Sequence, residues 1–200
     1  MDNVDEKKRK VLIGVTTATL GVGAGFMFVP YLASMSPSER AKAAGAPVEV
    51  DVSKIASGSR VSVTWRGKPV WIVRRSKEVL ANINSLNETV DDPLSDNSLQ
   101  PDYCKNDTRS IKGKEEFFVA ISLCTHLGCI PSYRPEVGPQ DFSKDWKGGF
   151  YCPCHGSLFD LAGRVYPGVP APSNLQIPPY YFASDTKLVI GIDNDSQGAT

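Results

Sequence analysis

The stretch "CTHLGC" (124–129) stands at the end of an apolar run, and "CPCHGS" follows at 152–157. Together they hold four of the chain's five cysteines and both of its histidines. Each begins where a strand pattern ends. "EEFFVAISL" (115–123) runs straight into Cys124, and "GGFY" (148–151) runs into Cys152. Strand ends are where a rigid scaffold meets adaptable loop, so these two loops are the expected seat of the chemistry.

A lone cysteine is usually a small buried hydrophobe, and a lone histidine is usually structural. That accounts for one such residue, not for six in two short windows. A structural zinc site with two cysteines and two histidines would leave Cys129 and Cys154 over. A thiol–disulfide enzyme built on "CPC" would leave both histidines idle. A [2Fe–2S] cluster uses all six: one Cys and one His from each loop for the two irons, and a remaining pair of cysteines to clamp the loops.

Working outward, "DEKKRK" crowds its positives at 7–10, directly before "VLIGVTTATLGVGAGFMFVPYLA" (11–33), which carries no charge. As a helix this run spans about 35 Å, enough to cross a hydrocarbon core of ~30 Å. The flanking positives predict an N-terminus in the cytoplasm and the rest of the chain outside, where disulfides persist. A cleaved signal peptide has a shorter apolar region, roughly 7 to 15 residues, so a retained anchor is expected. "GVGAG" (21–25) lies inside this run and reads as helix packing rather than a nucleotide loop. Lysine plus arginine equals aspartate plus glutamate at 22 each, so no global basic field argues for nucleic acid.

Residues 34–47, "SMSPSERAKAAGAP", have no apolar periodicity and read as a flexible tether. Strand patterns follow in "VEVDV" (48–52), "SRVSVTW" (59–65) and, after an "RGKP" turn, "VWIVRR" (70–75). "SKEVLANI" (76–83) suits a helical turn or two. Residues 84–111, rich in Asn, Asp, Ser and Pro, read as an exposed excursion. A proline-rich segment, a strand pair near 180–183 and 187–192, and a polar tail complete an all-β head.

"CTHLGC" with "CPCHGS", preceded by anchor and tether and followed by "GVPAP" (168–172), resembles the Rieske iron–sulfur subunits of bacterial ubiquinol–cytochrome c reductase. The resemblance implies a Rieske-type β-sandwich head at 48–200 with cluster-binding loops 124–129 and 152–157. Before it come a cytoplasmic segment (1–10), a transmembrane helix (11–33) and a tether (34–47). It implies that Cys124 and Cys152 ligate one iron of a [2Fe–2S] cluster, that His126 and His155 ligate the other, and that Cys129 pairs with Cys154. It gives Ser157 and Leu127 places beside the cluster and His155 the contact with the quinol. The implied activity is proton-coupled electron transfer from ubiquinol to cytochrome c1, in respiratory proton translocation. Cytochrome b and cytochrome c1 would be its partners in a dimeric complex, with the head in the periplasm and the anchor in the inner membrane. The competing reading is a zinc-stabilised, membrane-tethered binding domain without redox activity. Two residues depart from the family pattern. Phe159 stands where many members carry a tyrosine, and Cys104 is an extra cysteine expected as a buried thiol.

Overall fold

The computed structural model describes residues 5–193, so the first four residues and the polar tail from 194 lie outside the described part. The chain divides between Ala43 and Ala44 into a helical unit and a head. In the first unit α1 (Glu6–Ser34) opens on Asp5, whose carboxylate accepts the Lys7 and Lys8 N–H groups and so caps two orphan donors. Its 29 residues give about 43 Å at ~1.5 Å each, and its apolar side chains, such as Phe26, are exposed along its whole length. A helix apolar on every side suits lipid. The segment read as a tether contains a short helix, α2 (Glu39–Ala44), started by the Ser38 hydroxyl on the Ala41 N–H. Alanine's helix propensity explains it; its side chains bury almost nothing.

The head is antiparallel throughout. β2 (Arg60–Trp65), β3 (Lys68–Arg74) and β4 (Phe117–Ile121) form one sheet in that order. The β2–β3 turn is Arg66–Gly67, both with positive φ, the two-residue hairpin that matches strand twist. A second sheet orders β1 (Val48–Asp51), β11 (Lys187–Ile190) and β10 (Tyr180–Phe182), so the head's first strand pairs with its last. The third holds β5 (Ser132–Arg134), β8 (Gly149–Tyr151) and β9 (Leu158–Asp160). A separate hairpin joins β6 (Gly138–Gln140) to β7 (Ser143–Trp146). α3 (Lys77–Ile83) follows β3, capped by Ser76.

Every residue of β4 is buried, which is why its run lacks alternation. Phe150 on β8 joins the sheets. Its ring stacks on Trp71 of β3 at 5.1 Å and meets Phe118 of β4 and Tyr133 of β5 at 6.0 and 5.6 Å. The strand that feeds the first cysteine loop is thereby packed against the strand that feeds the second. Aromatic pairs of this kind add about 0.5–1.5 kcal/mol beyond area burial.

Residues 84–111 are not the exposed excursion their composition suggests. Leu86, Val90, Asp92, Ser95, Cys104, Arg109 and Ser110 are all buried. The reason is that their polar side chains are satisfied by the protein. Asp92 accepts the Asp96 and Asn97 N–H groups and the Ser98 hydroxyl. Arg109, fully buried, donates to Gln100 Oε1 and to the carbonyls of Ala162, Gly163 and Leu175. Arg75 reaches Thr108 O, Leu161 O and the Ser110 hydroxyl. Arg164 pairs with buried Asp160 at 2.7 Å and reaches Ile83 O. Burial pulls the Arg75 and Arg109 guanidiniums down to about 10, which leaves both charged at neutral pH. All three arginines converge on residues 160–164, directly behind the second cysteine loop. Arg109→Ala would orphan the Ala162 and Leu175 carbonyls at ~1–3 kcal/mol for each buried unsatisfied group, while Gly163 O keeps the Leu175 N–H. We expect thermal unfolding of the full chain to show a loss of roughly 2 kcal/mol or more, equivalent to about 4–8 °C. A fall of less than about 2 °C would contradict this role.

Candidate metal centre

The two cysteine loops are built alike. In the first, the Cys124 N–H donates to Cys129 O at 2.8 Å and the Gly128 N–H to Cys124 O at 2.9 Å. In the second, the Cys152 N–H donates to Ser157 O at 2.8 Å and the Gly156 N–H to Cys152 O at 2.9 Å. Gly128 and Gly156 have φ of 79° and 78°, the left-handed conformation that a side chain disfavours. The sequence puts glycine four residues after the leading cysteine in both loops for this reason. Cys152 follows β8 without a break and Ser157 leads directly into β9, so the second loop is the tip of a hairpin.

A disulfide joins Cys129 to Cys154 across the loops. The sulfurs of Cys129, Cys152 and Cys154 lie within 4.8 Å of one another, yet two of them are bonded together and only Cys152 keeps a free thiol. The free ligand atoms of the loops are therefore the Cys124 and Cys152 thiols and the two imidazoles. Both thiols are buried, at 3% and 2% exposure. The His126 and His155 rings meet edge to face with centroids 4.8 Å apart, His126 half-buried and His155 exposed. Leu127 and Ile130 are exposed beside them, Leu127 at 72%.

The surroundings of Cys124 keep it a neutral thiol until a metal takes its proton. Burial, foremost, and the neighbouring Cys152 thiol push the Cys124 thiol up; the His126 amide and the Ser157 hydroxyl, both hydrogen-bonded to it, pull the other way. A neutral thiol is a weak acceptor, so two donors on one buried sulfur are matched to a negatively charged ligand. Metal ligation would remove the proton that burial otherwise retains. Soft thiolates paired with imidazoles at a closed, apolar base fit an iron–sulfur group.

A third loop braces the pair, and sequence reading gave it no role beyond resemblance. The Ala171 N–H donates to the Ser157 hydroxyl at 3.1 Å, and the Thr125 hydroxyl donates to Ser173 O at 2.6 Å. Thr125 carried no signal in the sequence beyond lying between a cysteine and a histidine. Phe159 is fully buried opposite Phe150, in the core that also holds Cys124 and Cys152. Cys104 is a buried thiol donating to the Tyr180 hydroxyl at 3.6 Å, and burial pushes it up to about 11.

Residues 92–179 match the family model described as the Rieske [2Fe-2S] domain. The chain is 56% identical over 193 residues to the ubiquinol-cytochrome c reductase iron-sulfur subunit of Allochromatium vinosum, covering 96% of this chain and 92% of that one. It is 42% identical to the subunit of that name from Bradyrhizobium diazoefficiens, over 92% of this chain and 94% of that one. A solved chain of a hyperthermophilic respiratory complex III is 31% identical, covers 90% of this chain and 98% of its own length, and superposes with a TM-score of 0.46. With 56% and 42% identity over more than nine-tenths of each chain, the chain belongs to the Rieske iron–sulfur subunits of ubiquinol–cytochrome c reductase.

Proposed function

We propose that this chain takes an electron and a proton from ubiquinol at the tip of its head and delivers the electron to a cytochrome c1 partner. One observation carries the reading beyond family membership. Two loops of the same turn bring two buried thiols and two imidazoles together, and a disulfide binds the loops to each other. Cys124 and Cys152 would hold one iron and His126 and His155 the other. When bound, the cluster supplies a one-electron acceptor whose imidazole ligands place Rieske potentials at roughly −150 to +300 mV, against about −400 mV for plant-type ferredoxins. The protein's own contributions follow from burial. Cys124 and Cys152 keep water from the sulfur side, and the Ser157 hydroxyl and His126 amide favour added negative charge there. His155, exposed, offers its outer ring nitrogen as the acceptor of the quinol hydroxyl proton. Leu127 and Ile130 give the quinol's apolar ring a surface to lie on.

α1 is long and apolar enough to cross a membrane and so to anchor the chain there. The Lys7–Lys10 positives favour an N-terminus in the cytoplasm and a head in the periplasm, where the Cys129–Cys154 bond is stable. Cytochrome b and cytochrome c1 are the partners this membership implies, in a dimeric complex. The zinc reading loses its basis, since it explains neither the family match nor the disulfide.

Alanine at Cys124, His126, Cys152 or His155 should abolish bound iron and sulfide in purified protein, because each removes a whole ligand. Cys129→Ala or Cys154→Ala should leave a cluster that assembles and then bleaches faster than the parent's. A Cys129→Ala protein with a cluster as durable as the parent's would refute the clamp.

Stiffening the tether separates site from travel. A proline run across residues 37–46 replaces a short helix and flexible joints with a semi-rigid rod. Quinol-dependent reduction of cytochrome c by the membrane complex should fall several-fold while the visible spectrum of the head stays that of the parent. Turnover equal to the parent's would remove the case for a moving head.

A further inference from the structure

Asn174 is 1% exposed and lies where the proline-rich loop ends. Its Oδ1 accepts the Val165 N–H at 2.8 Å, tying the loop's first residue to its last. Its Nδ2 donates to Asp92 O at 2.8 Å and to the Ser95 hydroxyl at 2.7 Å. Its backbone N–H donates to the Ser98 hydroxyl at 3.1 Å, and Ser98 in turn donates to the Asp92 carboxylate. One amide side chain thus closes the neck of a loop and fastens that neck to the buried 92–98 turn. Both its side-chain polar atoms are used, and only one orientation of the amide suits an N–H on one side and two oxygens on the other.

The closed loop touches both cysteine loops. Ser173 O receives Thr125 of the first, and the Ala171 N–H donates to Ser157 of the second. A serine hydroxyl has one hydrogen and rotates freely. Ser157 is fully buried, so once the Ala171 N–H occupies a lone pair of its oxygen, the hydroxyl hydrogen is left to point into the cluster-binding loops.

We propose that Asn174 is a positioning residue for the redox centre: by closing the 165–174 loop it holds the Ala171 N–H on Ser157 and thereby aims the Ser157 hydroxyl at the cluster. A hydroxyl donating to a cluster sulfur stabilises the reduced state more than the oxidised one. Loss of Asn174 should therefore lower the reduction potential, and only through Ser157. The proposal rests on the cluster reading above. A parent protein without a reducible cluster overturns that reading, whereas the outcomes below bear on Asn174 in a parent that has one.

The test is a double-mutant cycle in the membrane complex, read by redox titration of the cluster's spin-resonance signal. Asn174→Ala should weaken electron uptake at least threefold, a fall of about 28 mV at 59 mV per tenfold for one electron. Ser157→Ala should lower the midpoint by as much or more. In the Ser157→Ala background, Asn174→Ala should add nothing. Hydrogen exchange of the Ala171 amide in the full chain should quicken in Asn174→Ala and not in Ser157→Thr. An unmoved midpoint in an Asn174→Ala protein that holds its cluster overturns the proposal, as does an equal shift in both backgrounds. Should Asn174→Ala fail to accumulate, Ser95→Gly decides. It removes one acceptor of Nδ2 and relieves the left-handed backbone at Ser95 (φ 61°). Its midpoint should fall in the parent background and stay fixed beside Ser157→Ala; no fall at all would overturn the proposal.

Discussion

Two buried thiols from different loops must face each other, and the structure depends on that constraint. Cys124 leaves the fully buried strand β4, and Cys152 leaves β8, so the loops start from different sheets. Nothing in either sheet's hydrogen bonding brings the two ends together. Phe150 does so at the base, through its contacts with Trp71, Phe118 and Tyr133. The Cys129–Cys154 bond does so at the tip, closing a separation of 25 residues. In the chain-entropy account a loop of that length removes about 3–4 kcal/mol of freedom from the unfolded chain. The large apolar side chains at the tip, Leu127 and Ile130, face outward, so the tip has little buried apolar surface of its own to fold around. A covalent link substitutes for the missing core.

Beneath the tip the same logic recurs with charge. Residues 160–164 carry the second loop back into the head and leave several carbonyls facing protein. Arg75 and Arg109 meet them, while Arg164 reaches out to Ile83 O, and Asp160 offsets one of the three charges by accepting the Ala162 and Arg164 N–H groups as well as the Arg164 guanidinium. Guanidinium forks suit this task because each can serve several carbonyls at once. The cost of burying them is offset only while these partners stay in place, which ties the 84–111 segment to the floor of the redox site. Asn174 continues that connection upward into the proline-rich loop.

Much of this was legible in the residues. The paired loops, the all-β head, the β2–β3 hairpin at "RGKP" and the helix at "SKEVLANI" are local patterns, and local patterns survive folding. The Cys129–Cys154 bond, expected from resemblance, is present in the structure. Strands β5, β6, β7 and β9 were not legible, because "SYR", "GPQ", "SKDW" and "LFD" are too short for alternation to show. The pairing of β1 with β11 joins the ends of the head and leaves no trace in either segment. The largest misreading was 84–111. Its Asn, Asp and Ser residues look solvent-loving, yet composition cannot show that Asp92 caps its own turn or that Arg109 faces three carbonyls. Thr125 and Asn174 were missed for a similar reason: their partners are backbone atoms and loops far off in sequence.

The central claim is that two imidazoles, one from each loop, hold the same iron. Pulsed spin resonance on the reduced, purified complex measures it most directly, because nitrogen nuclei bound to a paramagnetic iron give hyperfine couplings that cysteine ligands cannot. The account predicts two strongly coupled nitrogens, both replaced by the heavier isotope when histidine alone is labelled with nitrogen-15. One coupled nitrogen, or couplings indifferent to histidine labelling, would contradict it.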